Sequence, residues 1–231
     1  MIRGPQILVC ANQKGGVGKT TAATHTAAGF QRLGCRTGLL DLDPQRNAVL
    51  CSSQDLEPRK DRPAPQGWDC FSTKEGLDLL APSDSPGGAT LDRALAWGEA
   101  WDLVVIDCPP SLEGWTQAAI ERASAILIPM QCEFLSLQGL ASMLGRIGTL
   151  ARDPWVRILP SMYEPEKELQ RETLAEVERH FPDRLGRTWI PRDPAISEAS
   201  SHGVSLFCHD PRAIGTLAYA RLIRELHHGW S

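Results

Sequence analysis

Lys14-Gly15-Gly16-Val17-Gly18-Lys19-Thr20-Thr21 decides the fold of this chain, because it forms a phosphate-binding loop with one lysine more than the common pattern. The common P-loop reads glycine, four residues, then Gly-Lys-Ser/Thr. Here Gln13 stands where the opening glycine would be, and Lys14 stands beside it. Upstream, Ile7-Leu8-Val9-Cys10-Ala11 is an unbroken apolar run that reads as a buried strand, and Thr20 through Leu33 reads as the helix that follows. Strand, glycine-rich turn and helix in that order are the context the motif requires. Gly15, Gly16 and Gly18 let backbone N–H groups close around phosphate oxygens, and the helix N-terminus adds partial positive charge. On this reading Lys19 sits on the β- and γ-phosphates and the Thr20 hydroxyl on Mg²⁺. A ligand-free strand-to-helix turn is the plain alternative; lysine, threonine and both flanking elements together weigh against it. Lys14 comes too early in the loop to serve its own phosphates, but could reach a nucleotide across a dimer interface.

Carboxylates fall where such a site needs them. The run Thr37-Gly38-Leu39-Leu40-Asp41-Leu42-Asp43-Pro44-Gln45 ends in two of them, and Leu103-Val104-Val105-Ile106-Asp107-Cys108-Pro109-Pro110 ends in a third. Open parallel sheets place ligands at the carboxyl ends of their strands. Asp107 after four apolar residues fits a carboxylate that holds Mg²⁺, and Asp43 fits one that orients an attacking water. Asp41 is expected to support the loop between nucleotide and interface. A lone aspartate is more often a solvated strand end; three strand ends in compatible order point to one site.

These stretches, with Leu127-Ile128-Pro129-Met130-Gln131-Cys132-Glu133 and Ile190-Pro191-Arg192 leading into Ser197-Glu198-Ala199, closely resemble a ParA-type partition ATPase of the MinD/ParA (deviant Walker A) group. The matching segments span nearly the whole chain. The resemblance implies an ATP-dependent homodimer, non-specific DNA binding by that dimer, and slow ATP hydrolysis accelerated by a ParB-like activator. It makes Lys14 the signature lysine on the other subunit's phosphates, Asp43 the hydrolysis residue and Asp107 the Walker B residue. The loop Lys14, Gly15, Gly16, Val17, Gly18, Lys19, Thr20 and Thr21 becomes the phosphate site, Thr20 and Asp107 the metal site, and Met162 with Pro191, Arg192 and Asp193 the adenine pocket. Two positions depart from the group. Arg46 stands where glycine is usual, adding charge near the expected interface, and Asp193 stands where asparagine is common, removing an amide that could pair with the base. His25, often Asn in the group, reads as a packed or capping histidine because no partner is indicated nearby.

The chain of 231 residues is expected to form one ATPase domain, an α/β fold with a mostly parallel twisted sheet flanked by helices. Further strands are predicted at Leu77-Leu80, Ala125-Pro129 and Val156-Leu159. Further helices are predicted over Leu135-Leu150, over Glu168-Phe181 with Leu169, Leu174, Val177 and Phe181 near one face, and over Arg212-His228. Ser52 to Gly76, rich in Pro, charge and Gln, reads as a surface connection within the domain. No apolar run approaches the ~18 residues of a membrane span. Met1-Ile2-Arg3-Gly4-Pro5 has no signal-peptide layout, and no helix-turn-helix extension precedes the loop. The seven cysteines lack Cys-x-x-Cys spacing, so they read as reduced, cytoplasmic thiols; the resemblance implies a nucleoid-associated protein.

A net charge of −4 argues against a generally basic surface, so any DNA site must be local. From Arg179 to Arg224 there are seven arginines against four acids, and Arg187 and Arg212 are the first choices for DNA contact. The alternatives are a MinD-like membrane ATPase, a positioning ATPase for a protein cargo, or a metabolic relative such as an amidoligase-like synthetase or iron–sulfur reductase. The membrane reading needs an amphipathic tail, and Arg221 to Ser231 offers little beyond Leu222, Ile223, Leu226 and Trp230. No membrane partner is expected. The cluster reading needs cysteine pairs that the spacing does not supply.

Overall fold

The computed structural model describes residues 5–53, 57–61, 63–83, 90–98, 100–134 and 136–229. The elements run β1 (Gln6–Cys10), α1 (Lys19–Arg32), β2 (Thr37–Asp41), α2 (Asn47–Ser52), β3 (Trp68–Ser72), β4 (Asp78–Pro82), α3 (Leu91–Trp97) and β5 (Leu103–Asp107). They continue with α4 (Trp115–Arg122), β6 (Ala125–Met130), α5 (Ser136–Ile147), β7 (Trp155–Pro160), α6 (Glu168–His180), α7 (Pro194–Ser201), α8 (Leu206–His209) and α9 (Ile214–Gly229). The seven strands form one sheet in the order β3-β4-β2-β5-β1-β6-β7, parallel except for β3. The chain leaves β1 for strands on one side of it and returns to β6 on the other, so the glycine loop after β1 opens at the point where strand order reverses. Ligand crevices form at such points.

Because successive strand residues face opposite ways, each central strand feeds two cores. Val9, Ile106 and Ile128 face the side covered by α4 and α5, while Leu8, Val105 and Leu127 face the side of α1 and α9. Burial on both faces explains the uninterrupted apolar runs of the sequence. On the α1 side Gly29 lets α9 approach: a Cβ there would lie 1.8 Å from Ile223 Cδ1.

Three expectations need correction. The Ser52 to Gly76 connection contains β3, an edge strand antiparallel to β4 that buries Trp68, Cys70 and Phe71. Leu169 is 57% exposed, so the buried face of α6 is carried by Val177 with Leu174 and Phe181 beside it. The final helix starts at Ile214, because Asp210 bonds the Arg212 N–H and holds Arg212 in the preceding turn. The predicted helix start at Leu135, the N-terminal Met1 to Gly4, and Trp230 and Ser231 lie outside the described residues.

Candidate nucleotide site

The loop is shaped before any ligand arrives. Gly16 (φ +73°) and Gly18 (φ +89°) occupy the left-handed region, where a side chain would be strained. The Asn12 amide donates to the Pro129 carbonyl at 2.8 Å, and its oxygen accepts the Lys14 N–H at 3.0 Å. Ser161 Oγ donates to the Val17 carbonyl at 2.7 Å, tying the loop to the end of β7. Lys19, 7% exposed, folds back so that its ammonium donates to the Lys14 carbonyl at 3.2 Å. Burial draws its pKa down, while Asp107 and Asp43 pull it up.

The carboxylates converge from two strands. Asp41 and Asp107 are register partners across β2 and β5, and both are fully buried. Asp41 Oδ1 accepts the Asp43 N–H at 3.1 Å, and Oδ2 accepts the Ala48 and Val49 N–H groups at 2.8 and 3.1 Å, so it fixes the loop and caps α2. Burial nevertheless pushes its pKa up to about 6. Neither oxygen of Asp107 has a hydrogen-bond partner of full geometry among the described residues. Burial and then Asp41 hold its pKa well above the usual range, against the opposing pull of the nearby Thr20 hydroxyl and Lys19. A buried carboxylate without a donor is costly unless a cation completes it, so Asp107 with Thr20 fits Mg²⁺. Asp43 Oδ1 accepts the Gln45 N–H at 2.9 Å, and Asp43 faces the open cleft.

That cleft, about 700 Å³, is lined by Gly15, Gly16, Gly18, Lys19, Thr20, Thr21, Asp43 and Met162, among others. A pocket of about 120 Å³ shares Gly18, Thr21 and Met162 with it and extends to Pro191, Arg192, Asp193 and Tyr219. Lys14 and Val17 belong elsewhere, to a cavity of about 560 Å³ with Glu133 and Phe134. The two lysines of the loop therefore face different spaces. Lys14 pairs with Glu133, Nζ to Oε2, at 2.5 Å.

Residues 8–206 match the CobQ/CobB/MinD/ParA nucleotide binding domain family. The chain belongs to that family. It is 36% identical to the chromosome-partitioning ATPase Soj of Thermus thermophilus over 238 aligned residues, which cover 95% of this chain and 94% of the relative. It is 33% identical to the chromosome partitioning protein ParA of Caulobacter vibrioides, covering 96% and 93%. Among solved structures it is similar to the cobyrinic acid a,c-diamide synthase of Mycobacterium smegmatis with bound ATP analogue and magnesium, at a TM-score of 0.78 and 27% identity over 98% and 96% of the two chains.

Several positions in this ParA/MinD-type site differ from their sequence reading. Arg46 is engaged within its own chain: its guanidinium donates to the Pro82 carbonyl at 2.7 Å and pairs with Asp69 at 3.4 Å. Its backbone is left-handed, φ 50°, which accounts physically for a glycine-favouring position. Asp193 spends both oxygens on helix starts, accepting from the Ala195 and Gly215 N–H groups at 3.0 and 2.7 Å, so it is a cap at the edge of the pocket. Arg192 pairs with Glu164 at 3.6 Å. His25 is packed, as expected, against Tyr219 with ring centroids 4.8 Å apart. Arg187 and Arg212 are both exposed but stand toward opposite ends of α9, since Arg187 bonds Glu225 and Arg212 precedes Ile214.

Gln131 was without a role in the sequence reading. Its amide donates to the Gly16 carbonyl at 3.2 Å and to Met162 Sδ at 2.9 Å, joining the phosphate loop to the second pocket. Met162 has φ 51°, a strained value for a residue with a side chain, at the junction of cleft and pocket. Met162 is already placed in the pocket by the resemblance, whereas the part of Gln131, which lies in a quoted stretch, is revealed only by contacts between distant segments.

Proposed function

We propose that this chain, acting as one domain over residues 1–231, is an ATP-hydrolysing partition ATPase that dimerises on ATP, binds DNA without sequence preference, and is stimulated by a ParB-like partner. The observation that carries this reading is the division of labour in the loop: Lys19 lines the phosphate cleft, while Lys14 is turned outward to a separate surface cavity. A lysine so placed suits the phosphates of a second copy.

In this reading the Gly15, Gly16 and Gly18 backbone cradles the phosphates, and Lys19 neutralises the β/γ charge. Thr20 and Asp107 hold Mg²⁺, which offsets charge on the phosphate oxygens when bound. Asp43 orients the water, and Asp41 keeps Asp43 in place through the bond to its N–H. The base enters beside Met162, Pro191 and Arg192 and rests near Tyr219. Asp193 shapes this pocket by capping, and exposed arginines around α9 meet DNA, Arg187 and Arg212 being the two that the sequence singles out. The protein works on the nucleoid.

The membrane alternative loses its residues to the core, because Leu222, Ile223 and Leu226 are buried against α1 and the sheet. No helix of the described residues is long and apolar enough to cross a membrane. The amidoligase-like alternative predicts turnover that depends on an amide donor. The deciding experiment follows sedimentation and ATP turnover with ATP and ADP, with and without DNA. A monomer in every nucleotide state, or turnover that requires an amide donor, would sink the partition reading.

A further inference from the structure

One side-chain amide serves two parts of the nucleotide site. Gln131 Nε2 donates to the Gly16 carbonyl at 3.2 Å and to Met162 Sδ at 2.9 Å, which uses both of its hydrogens. Gln131 lies just after β6 and is half-buried, while Cys132 beside it is buried and anchors the turn in the core. The turn closes where the Glu133 N–H donates to the Gln131 carbonyl at 2.9 Å, and the Glu133 side chain pairs with Lys14. A single turn thus holds the phosphate loop at Lys14 and at Gly16.

What Gln131 holds is a peptide that can flip. Gly16 sits at φ +73°, and glycine enters both halves of the backbone map at little cost. In a trans peptide the carbonyl and the following N–H point opposite ways, so fixing the Gly16 carbonyl against Gln131 fixes the Val17 N–H on the other side. The next peptide is treated alike, because the Val17 carbonyl accepts from Ser161 Oγ at 2.7 Å. A carbonyl turned into the cleft would repel phosphate oxygens, whereas an N–H attracts them. Met162 brings in the second pocket. Its backbone is fixed on both sides, since the Ser161 N–H donates to the Met130 carbonyl at 2.8 Å and the Tyr163 N–H to the Ile190 carbonyl at 2.9 Å. The flexible thioether is the part that can still move, and it lines both the cleft and the pocket.

We infer that Gln131 is a positioning residue for nucleotide binding: it holds the Gly16–Val17 peptide with its N–H presented to the phosphates, and through Met162 that hold tightens when a base fills the pocket. The second half of this inference rests on the base pocket proposed above. A base seated in the pocket confines the Met162 thioether, which keeps its sulfur against the Gln131 amide and so keeps the amide against Gly16. Without a base the thioether is free to leave, and the peptide is held by one bond in place of a linked pair.

The test compares ATP with inorganic tripolyphosphate, which has the phosphates and no base, on the full chain with Mg²⁺. Both are measured by displacement of a fluorescent ATP analogue at protein concentrations too low for dimers, so that binding and not association is read. The parent should prefer ATP by about tenfold or more. Gln131→Met keeps the length of the side chain and removes its donors, and it should weaken both ligands by about tenfold, the worth of one hydrogen bond. Met162→Leu keeps the apolar wall and removes the sulfur; it should weaken ATP by about threefold and tripolyphosphate by less. In the double variant Met162→Leu should cost ATP nothing further, a non-additivity that a merely structural role would not produce. Parent-like affinity of Gln131→Met for both ligands overturns the positioning role, as does a urea midpoint that falls in step with affinity in both Gln131→Met and Gln131→Ala. Additive losses, or equal loss of the two ligands in Met162→Leu, overturn the link to the base. A parent that binds ATP and tripolyphosphate equally removes the base-pocket reading and the link with it, and that failure is seen before any variant is compared.

Discussion

Lys14 Nζ and Glu133 Oε2 are 2.5 Å apart on the surface, and this pairing holds the first lysine of the loop away from the cleft that its own glycines line. The two side chains are 41% and 56% exposed. An ion pair that open contributes only about 0–1 kcal/mol, so a second nucleotide can displace it.

Lys19→Ala is therefore expected to abolish nucleotide binding, whereas Lys14→Ala keeps most of it and loses ATP-dependent dimerisation. Glu133→Gln should change stability by less than about 1 kcal/mol and should lower the protein concentration at which the ATP dimer forms. Calorimetry reads the first effect and light scattering the second. Equal loss of nucleotide affinity in the two lysine variants would assign Lys14 to its own subunit's phosphates.

Asp43→Ala separates closing from hydrolysis. Its carboxylate faces the cleft and, among the described residues, serves the fold through the turn bond it accepts from the Gln45 N–H. The variant should bind ATP, accumulate as a dimer, and lose nearly all turnover. Single-turnover hydrolysis at the parent rate would move the water-orienting role to another group.

The phosphate loop and the carboxylate strand ends were legible because each is a short local pattern, and the fully buried strands that carry them have unbroken apolar runs. Edge strand β3 was not legible. Trp68-Asp69-Cys70-Phe71-Ser72 is five residues in a Pro- and charge-rich stretch, and its pairing with β4 is what identifies it. The contacts of Arg46 were not legible for a related reason. A charge beside the site suggests an interface, yet its direction is set by the Pro82 carbonyl and Asp69, residues far away in sequence. Gln131 and Asp193 likewise gain their parts only through contacts across the fold.

Gly29→Ala tests whether α1 and α9 must touch. The new Cβ would lie 1.8 Å from Ile223 Cδ1, 2.9 Å from its Cγ1 and 3.3 Å from Phe207 Cε2. Overpacking of this kind costs about 1–3 kcal/mol, against a gain of up to about 1 kcal/mol from alanine's helix propensity. Net destabilisation should appear as a lower urea midpoint, and adding Ile223→Val, which removes Cδ1, should restore part of it. A Gly29→Ala protein as stable as the parent would show that α9 shifts at no cost.

Stability in mild acid should reflect buried groups of opposite sign, two carboxyls and one histidine. Asp41 has its pKa raised by burial from 3.8 to about 6. The folded chain then holds a proton that the unfolded chain has released, so this contribution is present at low pH and is lost as pH rises from about 4 to about 6. Asp107, also raised, acts in the same direction. His25 has its pKa lowered by burial from 6.5 to about 4. Here the unfolded chain holds the extra proton, so stability is full above about 6.5 and falls as pH drops toward 4. Shifts of this size correspond to roughly 3 kcal/mol each, and over the shared window they oppose one another. Asp41→Asn should expose the histidine effect and make the ligand-free chain lose stability more steeply on acidification. His25→Asn should do the reverse, leaving a chain that gains stability relative to the parent as pH falls. The slope is the readout, since both changes also alter hydrogen bonds to Ala48, Val49 or Thr24 at every pH. Urea midpoints from about pH 4 to about pH 7 measure it, and parallel profiles for parent and both variants would mean that neither group titrates differently in the folded chain.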